Sequence, residues 1–427
     1  MRARARLFLL LGGFLSMSGC ARPRAQPDIV LVLVDTLRAD ALGCYGQPLP
    51  TTPAIDALSR RSRLVEDVVA PAPWTKPSLA SLLTGLTVRE HGVRKGLGRV
   101  LGREPAPVDA SSDSTGGPPT TDALPEGPPT LAEELSSTHR TVALQSNPHC
   151  KAALGFGRGF HEYRDRTGAT AAALVAEART LFQEPRGNPL FLFVHVIDPH
   201  SEYRPQLAAY APAPSSVAAI TPMQLFRPPA DPAFVERARL AYLSECSEVD
   251  RAIGVLDAAT RRRSPRIVIA ADHGEELADH GAFEHGHTLF EELLRVPFIA
   301  TDARPAVDPG PMSLCDAPRV ILGLQRDRPA PPPIVSEGLL YGPDRVAIRW
   351  GRFKLVDRLP GPVPDALYDL DADPGERSPL SPDTEEGRTL QAELLAIRER
   401  QRAGAAPRRV IDAATEKDLR SLGYIGP

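Results

Sequence analysis

Residues 28–35 read Asp-Ile-Val-Leu-Val-Leu-Val-Asp, six apolar side chains between two carboxylates. The apolar residues do not alternate with polar ones, so both faces of the segment must be covered, as in an interior strand of a parallel sheet. Asp35 then falls at the carboxyl end of that strand, the edge outside which open α/β sheets bind their ligands. The pattern recurs at 189–198, Pro-Leu-Phe-Leu-Phe-Val-His-Val-Ile-Asp, and at 265–272, Pro-Arg-Ile-Val-Ile-Ala-Ala-Asp. Helical patterns occupy 53–63, 78–86, 130–137, 169–182 and 232–259. Strands alternating with helices predict an α/β fold, with a mostly parallel central sheet flanked by helices.

Outward from that frame, the 427 residues divide into an α/β body over 28–330 and a C-terminal sub-domain over 331–427. Residues 102–129, rich in Pro, Gly, Ser and Thr, are predicted to be a flexible surface loop. The Pro/Ala-rich 204–231 reads either as a lid or as a plain loop, and the Pro-rich 301–334 as the connection to the sub-domain. Strand-like stretches within 345–356 and 366–376 predict a small antiparallel sheet closed by a terminal helix. With 50 basic and 53 acidic residues the formal charge is -3, which gives no basis for nucleic-acid binding.

The first twenty residues form a targeting segment. Arg2, Arg4 and Arg6 precede a short apolar run over 7–15 that ends in Met17-Ser18-Gly19-Cys20. This ending resembles the bacterial lipoprotein box, with Cys20 as the lipidated residue and 21–27 as a linker. The alternative is a general secretory signal with an incidental cysteine. Both readings place the mature chain outside the cytoplasm, in the periplasm or at the cell surface, and the first anchors it to the bacterial membrane through Cys20. Cys44, Cys150, Cys246 and Cys315 show no CxxC metal spacing, and their pairing is open.

Asp35, Asp272 and His273 sit at the ends of two of these strands and should converge in space. Two carboxylates and an imidazole suit one divalent ion: calcium, magnesium, manganese or zinc. The competing reading is that each carboxylate caps a following helix.

Several segments bear on the choice. Val34-Asp-Thr-Leu-Arg-Ala-Asp-Ala-Leu-Gly-Cys-Tyr-Gly46 is followed by Thr51-Thr-Pro-Ala-Ile-Asp56. Ala271-Asp-His-Gly-Glu-Glu-Leu-Ala-Asp-His-Gly281 leads to Glu291-Glu-Leu-Leu-Arg-Val-Pro-Phe-Ile299, and 345–376 and 419–425 extend the pattern. Together they resemble the sulfatase family of the alkaline phosphatase superfamily. The resemblance implies an alkaline-phosphatase-like α/β fold and a metal held by Asp35, Asp272 and His273.

Residues 71–91 resemble the family's nucleophile segment, with Pro77, Ser78, Thr84 and Gly85 in place. Where sulfatases carry a cysteine or serine that is oxidised to formylglycine, this chain has Thr75, and at their arginine position it has Leu79. Threonine cannot become formylglycine. The resemblance therefore implies that the Thr75 hydroxyl, also a metal ligand, attacks the anionic ester. Phosphodiesterases and phosphoglycerol or phosphoethanolamine transferases of the superfamily use a comparable group. The other reading makes Thr75 the cap of the helix behind it.

By the same resemblance His200 falls where the family contacts substrate, His149 where it carries a Lys/His pair whose lysine is absent here, and His285 or His287 about where it has a lysine. Lys76 reads as a solvated neighbour. Thr36 stands where sulfatases have a second acid. With Leu79 and the absent lysines, this leaves less positive charge for a substrate. Those departures favour phosphate or sulfate esters of low charge, or a non-catalytic relative that binds anionic glycans or lipid headgroups.

Overall fold

A computed structural model describes residues 26–96, 120–185, 187–206, 209–210, 231–301, 306–308, 310–323, 333–342, 345–358, 366–400 and 404–421. The proposed lipidation residue Cys20, the rest of 1–25, and most of 204–231 lie outside the described residues. Among the described residues no helix is long and apolar enough to cross a membrane.

A nine-stranded sheet organises the body, in the order Ala306–Asp308, Ser62–Val69, Arg295–Thr301, Arg266–Ala271, Ile29–Val34, Leu190–Val196, Arg140–Gln145 and Glu162–Asp165. Met312–Ser313 also pairs with Ser62–Val69. Arg295–Thr301 runs antiparallel to both neighbours, whereas Ile29–Val34 pairs in parallel on each side. Val30 to Val34 are fully buried, as the unbroken apolar run requires, and sit in the main core with Phe191, Phe193, Val268 and Ile269. The fold is thus the α/β sandwich read from residues 28–35, with its site edge at the carboxyl ends of the parallel strands.

A separate four-stranded antiparallel sheet follows: Ile334–Glu337, Arg345–Trp350, Phe353–Arg358 and Ala366–Asp369. The helix Glu385–Arg400 covers it, burying Leu390 and Leu394 against Val346, Ile348, Leu355 and Leu367.

Three local expectations differ from the structure. The helix expected over 53–63 is Pro53–Ser59, and Ser62–Val69 is a strand inserted between Arg295–Thr301 and Ala306–Asp308. The helix expected from Ser78 begins at Thr75. Of the loop expected over 102–129, residues 102–119 lie outside the described residues, and Thr120–Asp122 is a strand that pairs antiparallel with Arg408–Val410. Its polar residues are held by specific partners: Asp122 Oδ2 accepts from the amides of Arg94 at 2.9 Å and Lys95 at 2.7 Å. Composition shows the polarity of such a segment but not the partner that orders it.

Candidate active site

Asp35 directly follows Ile29–Val34, its amide bonded to Val196 O at 2.9 Å, so the sheet itself aims the side chain. Asp272 and His273 extend the neighbouring strand Arg266–Ala271. Thr75 is the first residue of the helix Thr75–Thr84, whose first turn is tied to this edge by Ser78 Oγ donating to Asp272 O at 2.6 Å. A helix N-terminus carries unsatisfied amides and a partial positive charge, which favours anions there. The Thr75 hydroxyl is turned to the strand ends, where it meets Asp35 and His273.

Thr75 Oγ1 lies 3.4 Å from both oxygens of Asp35 and 3.3 Å from His273 Nε2. His273 Nε2 stands 3.3 Å from Asp35 Oδ1 and 3.7 Å from Asp272 Oδ2. One ligand atom each from Asp35, Asp272 and His273 all lie within 4.8 Å of one another, and all three residues are buried. The donors fit a divalent ion in two further respects. His273 Nδ1 bonds to Gly274 O at 2.8 Å, which places its proton there and leaves the Nε2 lone pair facing the carboxylates, as a ligand requires. Asp272 Oδ2 is buried without a hydrogen-bond partner among the described residues, a costly state that a cation would relieve.

The electrostatics agree. Burial opposes charge on His273, yet Asp272 and Asp35 beside it lift its pKa to about 9. A field that strong would attract any cation to the same point. Burial and the nearby Asp35 charge push Asp272 up. Asp35 is held well below the usual carboxylate range: burial works against it, and neighbouring His195 and His273 outweigh that. Of the two carboxyls, Asp35 is therefore the stronger acid.

Sequence reasoning missed two residues. Asn147 Nδ2 donates to Asp35 Oδ2 at 2.6 Å and to Thr75 Oγ1 at 3.3 Å, fixing nucleophile and carboxylate together. His195, buried in the strand Leu190–Val196, stands 3.6 Å from Asp35 Oδ2, and neither ring nitrogen has a hydrogen-bond partner among the described residues. Its signal was visible: one histidine within an otherwise apolar strand. Thr36 is also unusual, a β-branched residue at φ 56 beside Asp35, a strained conformation at the site edge.

The expected histidines separate into two groups. His200 and His285 have ring centroids 4.8 Å apart, and His285 lies 4.5 Å from His273. Burial holds His200 and His285 below the usual imidazole range, with His285 adding to it at His200 and His273 adding to it at His285. His149 packs edge-on to Trp74 at 6.0 Å, with its pKa depressed by burial and then by Lys76. His287 is instead engaged by Glu276, Nε2 to Oε2 at 2.8 Å.

Lys76 is not solvated. It is fully buried, its Nζ bonded to Thr121 Oγ1 and to Asp122 O, and burial lowers it to about 8. The reason is the Thr120–Asp122 strand, which the sequence did not reveal. Leu79 is buried in the main core. Asp198, third of the strand-ending aspartates, accepts from Ala171 N at 2.7 Å at the start of Ala171–Gln183 and so serves a helix rather than this centre.

The carboxyl edge of the parallel strands thus gathers two acids, an imidazole and a helix-borne hydroxyl. The family model described as Sulfatase matches residues 27–308, and the chain belongs to that family. It is 21% identical to the Delta 4,5-hexuronate-2-O-sulfatase of Bacteroides thetaiotaomicron, over 88% of this chain and 89% of that one. It is 34% identical to the steryl-sulfatase of Rattus norvegicus over 35% of this chain, but that match spans only 24% of the rat protein. The match to human arylsulfatase A likewise spans only 18% of that protein. In fold it is similar to the phosphonate monoester hydrolase of Agrobacterium radiobacter, with a TM-score of 0.66, 17% identity, and coverage of 88% and 96% of the two chains.

Proposed function

We propose that the chain is a metal-dependent hydrolase of phosphate or sulfate esters in which Thr75 is the nucleophile. The observation that supports this reading most directly is the position of Thr75 Oγ1, 3.4 Å from Asp35 and 3.3 Å from His273 at a helix N-terminus. Asp35, Asp272, His273 and Thr75 would hold the ion. When bound, a divalent ion there lowers the pKa of a neighbouring hydroxyl and neutralises charge on the ester.

The chain's own residues account for the rest. Asn147 holds the Thr75 oxygen toward the strand ends, and the amides of the first helical turn face the ester anion. Attack by Thr75 Oγ1 forms a bond to phosphorus or sulfur and breaks the bond to the ester oxygen; the neutral imidazole of His200 or His285 takes the Thr75 hydroxyl proton and passes it to that oxygen. Water then cleaves the threonine ester and regenerates the hydroxyl. With Leu79 in place of a guanidinium and Lys76 turned to Thr121, singly charged esters such as phosphodiesters fit best. If an acceptor alcohol replaces water, the same steps give a phosphoglycerol- or phosphoethanolamine-type transfer. Anchoring outside the cytoplasm through Cys20 belongs to this proposal.

The test is metal analysis with assays on aryl phosphate monoesters, phosphodiesters and sulfate esters. Thr75→Ala should lower turnover by at least about 10³-fold while keeping the metal, since the covalent route is lost. Unchanged activity removes Thr75 as nucleophile. A second reading, a non-catalytic binder of anionic glycans or lipid headgroups, rests on Leu79 and Thr36. Glycan or lipid-headgroup binding by metal-free protein without hydrolysis of any ester would favour it.

A further inference from the structure

Glu275 follows the site pair in Asp272-His273-Gly274-Glu275 and is fully buried. Its Oε1 meets His285 Nδ1 at 3.0 Å, and its Oε2 has no hydrogen-bond partner among the described residues. A short hairpin, Glu276–Leu277 with Phe283–Glu284, returns the chain so that His285 faces the residue that preceded the turn. The backbone around Glu275 is held at both ends. Arg38 Nη1 donates to Glu275 O at 3.0 Å, and Gly274 N donates to Leu293 O at 2.9 Å. A Cβ at Gly274 would collide with Glu292 O, so the close approach of these two segments requires the glycine.

The geometry points to Glu275 as the positioning residue that sets His285 for the leaving group. This rests on the function proposed above. With Nδ1 engaged by Glu275, Nε2 is the ring nitrogen left for an ester, and the ring lies beside His273 at 4.5 Å and His200 at 4.8 Å. A base or acid oriented by a third group is the arrangement that nucleophilic sites need for proton transfer. Glu276 and His287 form a similar pair at 2.8 Å in the same hairpin, which supplies a matched control.

The experiment compares Glu275→Gln, His285→Gln and Glu276→Gln on aryl and alkyl esters with leaving groups of increasing basicity. In Glu275→Gln, kcat/KM should fall roughly 10- to 100-fold for basic leaving groups and under about 3-fold for nitrophenyl esters, within the range of general acid catalysis. His285→Gln should show the same pattern more steeply, and the double variant should be no worse than His285→Gln alone. Glu276→Gln should not change the leaving-group dependence. Equal losses across all esters, or additive losses in the double variant, overturn the assignment. Ring-nitrogen NMR of the metal-loaded protein gives a second readout: Glu275→Gln should shift the His285 tautomer while metal content stays constant, and an unchanged tautomer overturns the assignment. If Glu275→Gln does not fold, Glu275→Asp, which keeps the carboxylate at shorter reach, is read in the same two ways. A wild type that hydrolyses no ester defeats the proposed function, while the tautomer measurement still decides the positioning.

Discussion

Two regions of this molecule bury clustered carboxylates, and they treat them in opposite ways. At the junction of body and sub-domain, Lys354 pairs with Glu291 and Glu376 at 2.9 Å each. Arg349 joins Asp67 and, at 3.2 Å, Glu291. Glu291 stays below its usual range although burial opposes it, because Lys354 and Arg349 hold it there. At the strand ends, Asp35 and Asp272 share one cation, the His273 imidazolium, with His195, the Asn147 amide and the Thr75 hydroxyl also at Asp35, and one Asp272 oxygen has no hydrogen-bond partner among the described residues. Charges matched by the protein's own cations belong to architecture. Charges left for a cation from outside belong to a site.

The largest effect should come from breaking the matched region. Lys354→Met leaves buried Glu376 without its cation and Glu291 with Arg349 alone, and should cost about 3–5 kcal/mol of stability. Urea melts check this, and a loss below about 1 kcal/mol would mean that the junction is not held as described. Metal content should be unaffected.

A smaller, pH-dependent effect concerns His91, which is buried and engaged by neutral partners, Ser81 Oγ at 3.0 Å and Val93 N at 3.0 Å. Burial, with Arg94 adding to it, pushes His91 down to about 3. An unfolded histidine takes up its proton near pH ~6.5. Between about 6.5 and about 3 the unfolded state binds a proton that the folded state refuses, so stability is full above that window and falls as pH drops through it. The loss should reach about 2 kcal/mol at pH ~5. His91→Gln should flatten that slope in melts run at several pH values, and an identical slope would place the proton uptake elsewhere.

The smallest stability change should come from the unmatched region, and its sign is the informative part. Asp272→Asn removes one of two buried carboxylates that share a single protein cation, His273. The metal-free protein should gain about 0.5–2 kcal/mol, as is common when a functional site is relieved of strain. Divalent affinity should drop by more than the ~10–100-fold typical of outer-shell changes. Calorimetric metal titration and melts on stripped protein measure both. A destabilised metal-free Asp272→Asn would mean that this carboxylate is structural after all.

Much of the design was legible along the chain. Runs such as 28–35 and 265–272 specify interior strands through composition alone, since unbroken apolar segments must be covered on both faces. Asp35, Asp272 and His273 could be placed because strand ends of a parallel sheet share one edge. Thr75 stood out by its place in a motif. Other features depend on partners distant in sequence. Asp198 matched the same strand-end pattern, yet it serves the helix Ala171–Gln183. Lys76 looked solvated until Thr120–Asp122 paired with Arg408–Val410 and closed over it.

The sequence by itself determined the fold class and the edge that carries the site, and it singled out Thr75 and Leu79 within one segment. Periodicity and side-chain identity are local properties, and they suffice for that much. Only the tertiary structure decided that Asn147 and His195 stand at Asp35, that His285 rather than His287 joins the cluster, and that Glu275 holds it. Those outcomes are set by distances across a folded sheet and a hairpin, and a linear pattern carries no distances.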